Sequence, residues 1–424
     1  MKYSIQWLLI LFFFALSFQA YGFEEARFPR PEFTGDYRIP VPDKPLEPVL
    51  RNPYLALALL ILVLASTGYG LHVKRSRNWL RLTGLFSLVW FGFVYKGCLC
   101  PIGSIQNVAL GLCDSDWPVS LHVVGSFFMP LLAALFFGRL FCGAACPFGV
   151  LQDLVIIKSF RVPSVVDRCL RLVPFAFLGL AVYFATCDLG FIICQLDPFV
   201  PFFRLGGPFY VVLLGAFLLG LGMVVSRPYC RYVCPYSVLL SAFSLLAAKK
   251  VRVYADRCTA CGLCNAACPV DAIVPGVDPG HPGAFAESKE KAIARLQWLA
   301  ALSPFLLAVG FYTGTQLSRP LAQLHPQVAL FERVQANMTE DDALIAFYAN
   351  DGNRERLLHL QHEARSAIKR GGGIFGIYMS LVSIGAVVAV TRRKTYRLHT
   401  VEDWNCLSCG RCYSWCPRNQ EKKS

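Results

Sequence analysis

The residues best suited to chemistry in this chain are its 18 cysteines. Two runs share one spacing, in which three cysteines stand three residues apart and a fourth precedes a proline. The runs are Cys258, Cys261, Cys264 and Cys268 before Pro269, and Cys406, Cys409, Cys412 and Cys416 before Pro417. Thiolates are the soft ligands that iron–sulfur clusters require, and this spacing is typical of bacterial ferredoxins. Zinc sites or chance cysteines are disfavoured because the whole pattern occurs twice.

In two-cluster ferredoxins the fourth cysteine of each run ligates the cluster of the other run. We therefore predict one [4Fe–4S] cluster on Cys258, Cys261, Cys264 and Cys416. The second is predicted on Cys268, Cys406, Cys409 and Cys412. Because residues 269–405 separate the runs, the ferredoxin module must be split in sequence and joined in the fold.

Four further cysteine pairs recur along the first half of the chain at nearly constant spacing, which indicates an internal repeat. They are Cys98/Cys100, Cys142/Cys146, Cys187/Cys194 and Cys230/Cys234. Three of them share a Cys-Pro step, at Cys100-Pro101, Cys146-Pro147 and Cys234-Pro235. The alternation of the predicted spans would put Cys142, Cys146, Cys230 and Cys234 on the inner face. It would put Cys98, Cys100, Cys187 and Cys194 on the outer face.

Each face thus gathers enough thiols for one further iron–sulfur or other metal centre, and the two would extend the ferredoxin into a path across the membrane. Disulfides remain open for the outer set. Redox-active thiols or small packing residues remain open for the inner set. Cys113 and Cys169 have no repeat partner and are interpreted as structural, although Cys113 could replace Cys98 or Cys100 as a ligand.

Composition indicates the elements that hold these residues. The chain has 55% hydrophobic and 16% charged residues and a mean hydropathy of +0.48. Average globular proteins have about 25% charged residues, so membrane spans are predicted. The net charge of +14 fits cytoplasmic loops rich in Lys and Arg. Nucleic-acid binding is disfavoured because no basic helix or aromatic-plus-basic platform occurs.

The predicted fold is an all-α polytopic membrane protein with about seven spans and a small cytoplasmic α+β ferredoxin module, split by a membrane hairpin. The spans are Pro53–Leu71, Leu82–Tyr95, Val119–Gly138, Leu172–Gly190, Pro208–Val225, Leu296–Tyr312 and Ile374–Val390. Residues 1–22 form a signal peptide or retained anchor, and 23–52 a Pro-rich extracytoplasmic tail. The membrane core is 53–250 and the ferredoxin halves are 251–295 and 391–424. The hairpin is 296–390, with a helical extracytoplasmic cap over 317–370 that Gly371–Gly373 ends.

Other candidate residues carry weaker signals. His122 is interpreted as a satisfied polar residue, since no haem-attachment motif or facing histidine accompanies it. The aromatic residues of the spans are interpreted as packing or lipid-facing, with a quinone pocket as the alternative. They are Trp90, Phe127, Phe128, Phe136 and Phe137.

At Phe141-Cys142-Gly143, Cys146-Pro147-Phe148-Gly149, Tyr229-Cys230, Cys234-Pro235 and the two ferredoxin runs, the chain resembles the NapH/NosR-type membrane polyferredoxins. The resemblance covers about residues 75–270 and the C-terminal run. It implies electron transfer between a quinol pool or cytoplasmic donor and an extracytoplasmic redox system. The flavin-binding domain of NosR is absent, the second ferredoxin run follows an added hairpin, and the outer cysteine pairs are extra.

We therefore expect a multi-pass protein of the bacterial inner membrane that acts as an electron-transfer subunit of an oxidoreductase system, without catalytic residues of its own. Expected partners are a cytoplasmic donor and a periplasmic reductase, cytochrome or flavoprotein. The alternative is a maturation factor that reduces metal cofactors of a periplasmic metalloenzyme. A transporter is disfavoured because the spans contain almost no charged residues.

Overall fold

The computed structural model describes residues 52–97, 100–157, 159–204, 206–253, 258–259, 261–274, 289–336, 342–349, 352–391 and 399–417. The predicted signal peptide, most of the Pro-rich tail and Cys98 lie outside the described residues. The described chain is mostly helical, with two short strands.

The first half of the chain alternates long apolar helices with short ones. Its helices are α1 (Pro53–His72), α2 (Arg77–Ser87), α3 (Pro101–Cys113), α4 (Leu121–Phe137), α5 (Pro147–Val155), α6 (Ser164–Leu170), α7 (Val173–Thr186), α8 (Ile192–Leu196), α9 (Phe199–Arg204), α10 (Phe209–Gly222), α11 (Pro228–Tyr232) and α12 (Tyr236–Leu245). Two π-helical segments, Leu88–Val94 and Phe141–Ala145, follow α2 and α4. Helices α1, α3, α5 and α11 have a proline at their first or second position, where its missing N–H costs nothing.

The second half contains the hairpin between the ferredoxin runs. Its elements are α13 (Leu263–Ala267), β1 (Ile273–Val274), α14 (Lys289–Leu321), a 3₁₀ turn (Ala322–Leu324), α15 (Pro326–Gln335), α16 (Asp342–Ala349), α17 (Arg354–Thr391), β2 (Thr400–Val401) and α18 (Arg411–Trp415). Strands β1 and β2 pair antiparallel, with Ile273 opposite Val401. Helices α13 and α18 also pack together. The residues flanking the two cysteine runs thus form one small module.

Four helical stretches are long and apolar enough to cross a membrane: Pro53–His72, Ser164–Thr186, Ile293–Leu324 and Arg354–Thr391. Three shorter apolar helices are α4, α10 and α12. The predicted span Leu82–Tyr95 lies in α2 and the π-helical segment that follows it. These helices suit a membrane-associated protein, whereas the number of spans stays a prediction.

Glycines allow α14 and α17 to pack closely. A Cβ added at Gly376 would lie 1.8 Å from the Gly310 carbonyl oxygen, and one at Gly314 would lie 2.1 Å from that of Gly372. Small residues four apart are typical of helix pairs in membranes. Gly371–Gly373, which are expected to end the cap, lie inside α17, which continues through them. The glycines serve close packing instead of a break.

Candidate metal centres

The two ferredoxin runs meet in the module formed by β1, β2, α13 and α18. The thiol of Cys264 interacts electrostatically with those of Cys258, Cys261 and Cys416. A second set comprises Cys268, Cys406, Cys409 and Cys412, since Cys412 interacts with the other three. Cys412 also interacts with Cys264 of the first set, so the structure brings the two cysteine runs together side by side. Their division into two ligand groups stays a prediction.

The local backbone suits thiolate ligands in both runs. Gly262 and Gly410 have φ values of +72° and +68°, a left-handed conformation that lets the chain turn back around its own cysteines. The Leu263 N–H and the Thr259 hydroxyl hold the pKa of the Cys261 thiol below its usual value, which favours the thiolate. The Ala272 N–H lies 3.3 Å from Cys268 Sγ. These residues fit an iron–sulfur cluster, which would supply one-electron redox chemistry.

A third quartet is buried in the core beside this module. Cys142 and Cys230 are 7% and 6% exposed, and Cys146 and Cys234 are 7% and 8% exposed. The thiol of Cys234 interacts electrostatically with the other three. Cys142 lies in the π-helical segment after α4, Cys146 precedes α5, Cys230 lies in α11 and Cys234 stands two residues before α12. The predicted inner set is thus gathered at one place.

Two hydrogen-bond donors face the sulfurs of this quartet. Gln152 Nε2 lies 3.3 Å from Cys230 Sγ, and an Arg139 guanidinium nitrogen lies 3.6 Å from Cys142 Sγ. Donors to ligand sulfurs stabilise negative charge there and tune the potential of any bound cluster. Gln152 is held in turn by the Tyr229 N–H, which donates to its Oε1 at 3.1 Å. The side chain is therefore oriented for this contact.

Among the described residues, no group of three or more His, Cys, Asp or Glu side chains stands close enough together to hold a single metal ion. That holds for the ferredoxin groups as well as for the buried quartet. The thiolates at the corners of a four-iron cubane stand further apart than the ligands of one ion.

Asp153 joins the ferredoxin module to the buried quartet. Its carboxylate accepts from Arg227 at 2.8 Å, from Arg77 at 2.9 Å and from Arg411 at 3.3 Å. Arg411 belongs to the second ferredoxin run, and Arg77 also donates to the Cys409 carbonyl oxygen. Arg227 donates to the Cys142 carbonyl oxygen. One carboxylate thus ties the backbone around two groups of cysteines together.

Further contacts hold the ferredoxin module against the helical core. Arg139 donates to the Trp404 carbonyl oxygen at 3.2 Å, and the Trp404 ring stacks on Phe175 with centroids 6.0 Å apart. A Cβ at Gly143 would lie 2.7 Å from the Ser408 carbonyl oxygen, so only glycine permits this approach. The loop before Cys409 therefore lies directly against the segment that carries Cys142.

The predicted outer set is only partly brought together. Cys98 lies outside the described residues. The thiols of Cys100 and Cys194 interact electrostatically with each other. Cys187 interacts instead with Cys113, and its thiol lies 3.7 Å from the Ala367 carbonyl oxygen, against α17. None of the described cysteines is in a disulfide.

Sequence reasoning missed Asp197, which interacts electrostatically with both Cys100 and Cys194. This aspartate is 2% exposed, and burial raises its pKa to about 7. Its Oδ1 accepts from the Phe199 N–H at 3.1 Å, whereas its Oδ2 has no hydrogen-bond partner in the described part of the chain. The Asp197-Pro198 step, which resembles the Cys-Pro steps of the repeat, was the available signal.

Comparison with known protein families supports these assignments. Two models described as 4Fe-4S binding domains match the chain, one over residues 119–162 and 207–253 and the other over residues 251–274. The first two segments contain the buried quartet, and the third contains the first ferredoxin run. The chain therefore contains iron–sulfur binding domains.

Two curated relatives match parts of the chain. An uncharacterised protein of Methanocaldococcus jannaschii is 36% identical over 16% of this chain and 27% of its own length. The Escherichia coli K12 protein YccM, provisionally described as an electron transport protein, is 30% identical over 26% of this chain and 33% of its own length. The chain thus spans a third or less of each relative. No solved structure matches it.

These findings support an iron–sulfur protein with a role in electron transport and with helices suited to a membrane. The NapH/NosR-type family is not specifically indicated by them. Its implications for partners therefore belong to the proposal below.

Proposed function

We propose that this chain is a membrane-bound polyferredoxin of the NapH/NosR type that passes single electrons between a donor and an extracytoplasmic redox partner. The observation that carries the proposal is the contiguity of the three cysteine groups. Asp153 and its arginines connect the second ferredoxin group to the buried quartet. Electron carriers need closely spaced redox centres inside a protein shell that excludes water, and the burial of the quartet provides such a shell.

The proposed ligands follow the groups. One [4Fe–4S] cluster is held by Cys258, Cys261, Cys264 and Cys416, and a second by Cys268, Cys406, Cys409 and Cys412. The buried quartet of Cys142, Cys146, Cys230 and Cys234 holds a third iron–sulfur centre. Gln152 and Arg139 donate to its sulfurs and thereby make its reduction more favourable.

The proposed location is the bacterial inner membrane, crossed about seven times, with the ferredoxin module in the cytoplasm. Cationic side chains concentrate beside that module, as the positive-inside rule requires. The donor would be a quinol pool or a cytoplasmic protein, and the acceptor a periplasmic reductase, cytochrome or flavoprotein. The description of YccM as an electron transport protein supports this class of role.

A maturation factor for a periplasmic metalloenzyme is the second candidate, because it needs the same electron-carrying apparatus. The two candidates differ in the acceptor: a folded redox protein for the subunit, and an immature metal centre for the factor. Reoxidation of the reduced protein by one acceptor but not the other would separate them.

The proposal is tested by counting iron and acid-labile sulfide in the anaerobically purified full chain, with electron paramagnetic resonance after dithionite reduction. We expect at least about twelve irons per chain, from three four-iron clusters. Cys230→Ala should remove about four of them and one resonance signal, because it deletes a ligand of the buried quartet.

Cys169→Ala is the matched control, since Cys169 is exposed and belongs to none of the cysteine groups. It should retain the full iron content and all signals. Iron below about eight per chain would contradict an electron carrier built on two ferredoxin clusters. Equal iron in Cys230→Ala and Cys169→Ala would overturn the third centre alone.

A further inference from the structure

The segment around Cys194 repeats the architecture of the segment around Cys230. Helices α8 and α11 each have five residues, and each has a cysteine at its third position, Cys194 and Cys230. The N–H of the residue before each cysteine donates to a glutamine: Ile193 to Gln106 at 2.9 Å, and Tyr229 to Gln152 at 3.1 Å. The two cysteines are therefore structurally equivalent.

The two glutamines show that helices α3 and α5, which carry them, are structurally equivalent as well. Gln106 lies six residues after Cys100, the N-cap of α3, and Gln152 lies six residues after Cys146, the N-cap of α5. Cys100 thus corresponds to Cys146. A Cβ added at Gly103 would lie 3.5 Å from Cys194 Sγ, so this sulfur lies against the first turn of α3.

Asp197 corresponds to the fourth cysteine of the buried quartet. Cys234-Pro235 immediately precedes α12, and Asp197-Pro198 immediately precedes α9. The spacing from the preceding cysteine is one residue shorter for the aspartate. A carboxylate, which is also a metal ligand, therefore stands where the repeat otherwise has a thiolate.

The surroundings of Asp197 leave part of its carboxylate without a hydrogen bond among the described residues. Its Oδ2 is buried without a hydrogen-bond partner. The Tyr229 hydroxyl interacts with the carboxylate electrostatically but does not meet hydrogen-bond geometry. The ionisable groups that interact with the carboxylate are the Tyr229 hydroxyl and the thiols of Cys100 and Cys194, and the thiols add negative charge when ionised. Arg204 brings a positive charge to Cys194. A cation bound by the carboxylate and the two thiols would stabilise the charged form of all three groups.

We propose that Cys100, Cys194 and Asp197 are ligands of a fourth iron–sulfur centre, related to the buried quartet by the internal repeat. The inference rests on the proposed function in that it requires the buried quartet to hold a centre. It replaces Cys187 with Asp197 in the predicted outer set. The position is close to the quartet, because Cys100 interacts electrostatically with Cys146. The site would lengthen the electron path beyond the third centre.

A purely local role for Asp197 is the competing explanation, since its Oδ1 accepts from the Phe199 N–H. Asp197→Asn separates the two explanations because the amide keeps an oxygen for that N–H but loses the charge that binds iron. Asp197→Cys restores the ligand type of the repeat. Asp188→Asn is the matched control, an exposed aspartate on the loop before α8.

Iron, sulfide and paramagnetic resonance are measured on each anaerobically purified full-length variant. We expect about sixteen irons in the parent and the control, and a loss of about four irons and one signal in Asp197→Asn. Asp197→Cys should retain the iron with an altered signal, because sulfur replaces oxygen at one iron. If Asp197→Asn does not fold, an unaltered signal in Asp197→Cys overturns the proposal.

Unchanged iron and spectra in folded Asp197→Asn would also overturn it. Failure of the fourth centre can be told apart from failure of the proposed function, because Asp197→Asn tests the first and Cys230→Ala tests the second. A parent with about twelve irons that loses four in Cys230→Ala and none in Asp197→Asn retains the third centre and excludes the fourth.

Discussion

At the scale of single residues, Asp153 determines how the ferredoxin module and the buried quartet are joined. Burial alone would raise the pKa of this carboxyl, but Arg227, Arg411 and Arg77 outweigh the burial and hold the pKa well below its usual value. Arg227 is only 1% exposed and is paired with Asp153 alone among the described acids. Removing one member of such a buried group leaves the others uncompensated.

We therefore expect Asp153→Asn to weaken the attachment of the ferredoxin module to the core. The loss in free energy should be about 3–5 kcal/mol, the usual cost of breaking a buried ion pair. The measurement is proteolysis of the second ferredoxin run in the purified protein, which should become much faster. Asp116→Asn, at an exposed aspartate, is the control and should be cleaved like the parent.

The same ion pairs have a defined pH dependence. Because the pKa of Asp153 is lower in the folded chain than in the unfolded one, its stabilisation is complete above about pH 4 and declines as the pH falls further. The protection from proteolysis should therefore be constant between neutral and mildly acidic pH. A parent that loses protection near pH 6 would contradict the role of this carboxylate.

At the scale of elements, the glycine contact between α14 and α17 holds the hairpin whose far end returns the chain to the ferredoxin module. Gly376→Ala would place a methyl group against the Gly310 backbone and force the helices apart. Overpacking of this kind costs about 1–3 kcal/mol. We expect a lower midpoint of thermal unfolding in detergent for this variant.

Gly385→Ala provides a control within the same helix, since a Cβ there meets no atom within 4 Å. Alanine favours helix by up to about 1 kcal/mol over glycine, so this variant should unfold at the same temperature as the parent or higher. Equal destabilisation of both variants would contradict a role for the close contact between Gly310 and Gly376 in thermal stability.

The helices and strands also show which parts of the fold and of the candidate site can be predicted from the sequence. The two ferredoxin runs follow from cysteine spacing, because three ligands of each cluster are encoded locally, and the apolar helices follow from composition. The continuity of helix α17 through its glycines does not follow from the sequence. Glycine is a poor helix former in isolation, and close helix packing overrides that preference. Asp197 was missed because equivalence to Cys234 depends on the Gln106 and Gln152 contacts, which join segments distant in sequence.

At the scale of the whole molecule, we expect the charge distribution to decide the orientation of the chain in the membrane. Basic residues cluster at the ends of helices on the side of the ferredoxin module. They include Lys74, Arg75, Arg77, Arg161, Arg171, Arg231, Lys249 and Lys250. Several contact the module directly, as in the ion pair between Lys250 and Asp403. We therefore expect the same charges both to orient the chain and to hold the module against its core.

Reporter fusions to the full-length chain test this orientation. Because basic flanks stay in the cytoplasm, green fluorescent protein after Ser424 should fluoresce. Alkaline phosphatase, which is active only outside the cytoplasm, should be active when inserted at Gly352, between α16 and α17. The same phosphatase inserted after Lys249 is the control and should be inactive. Active phosphatase after Lys249 would invert the orientation, and the ferredoxin clusters would then face the periplasm, where a cytoplasmic donor could not reach them.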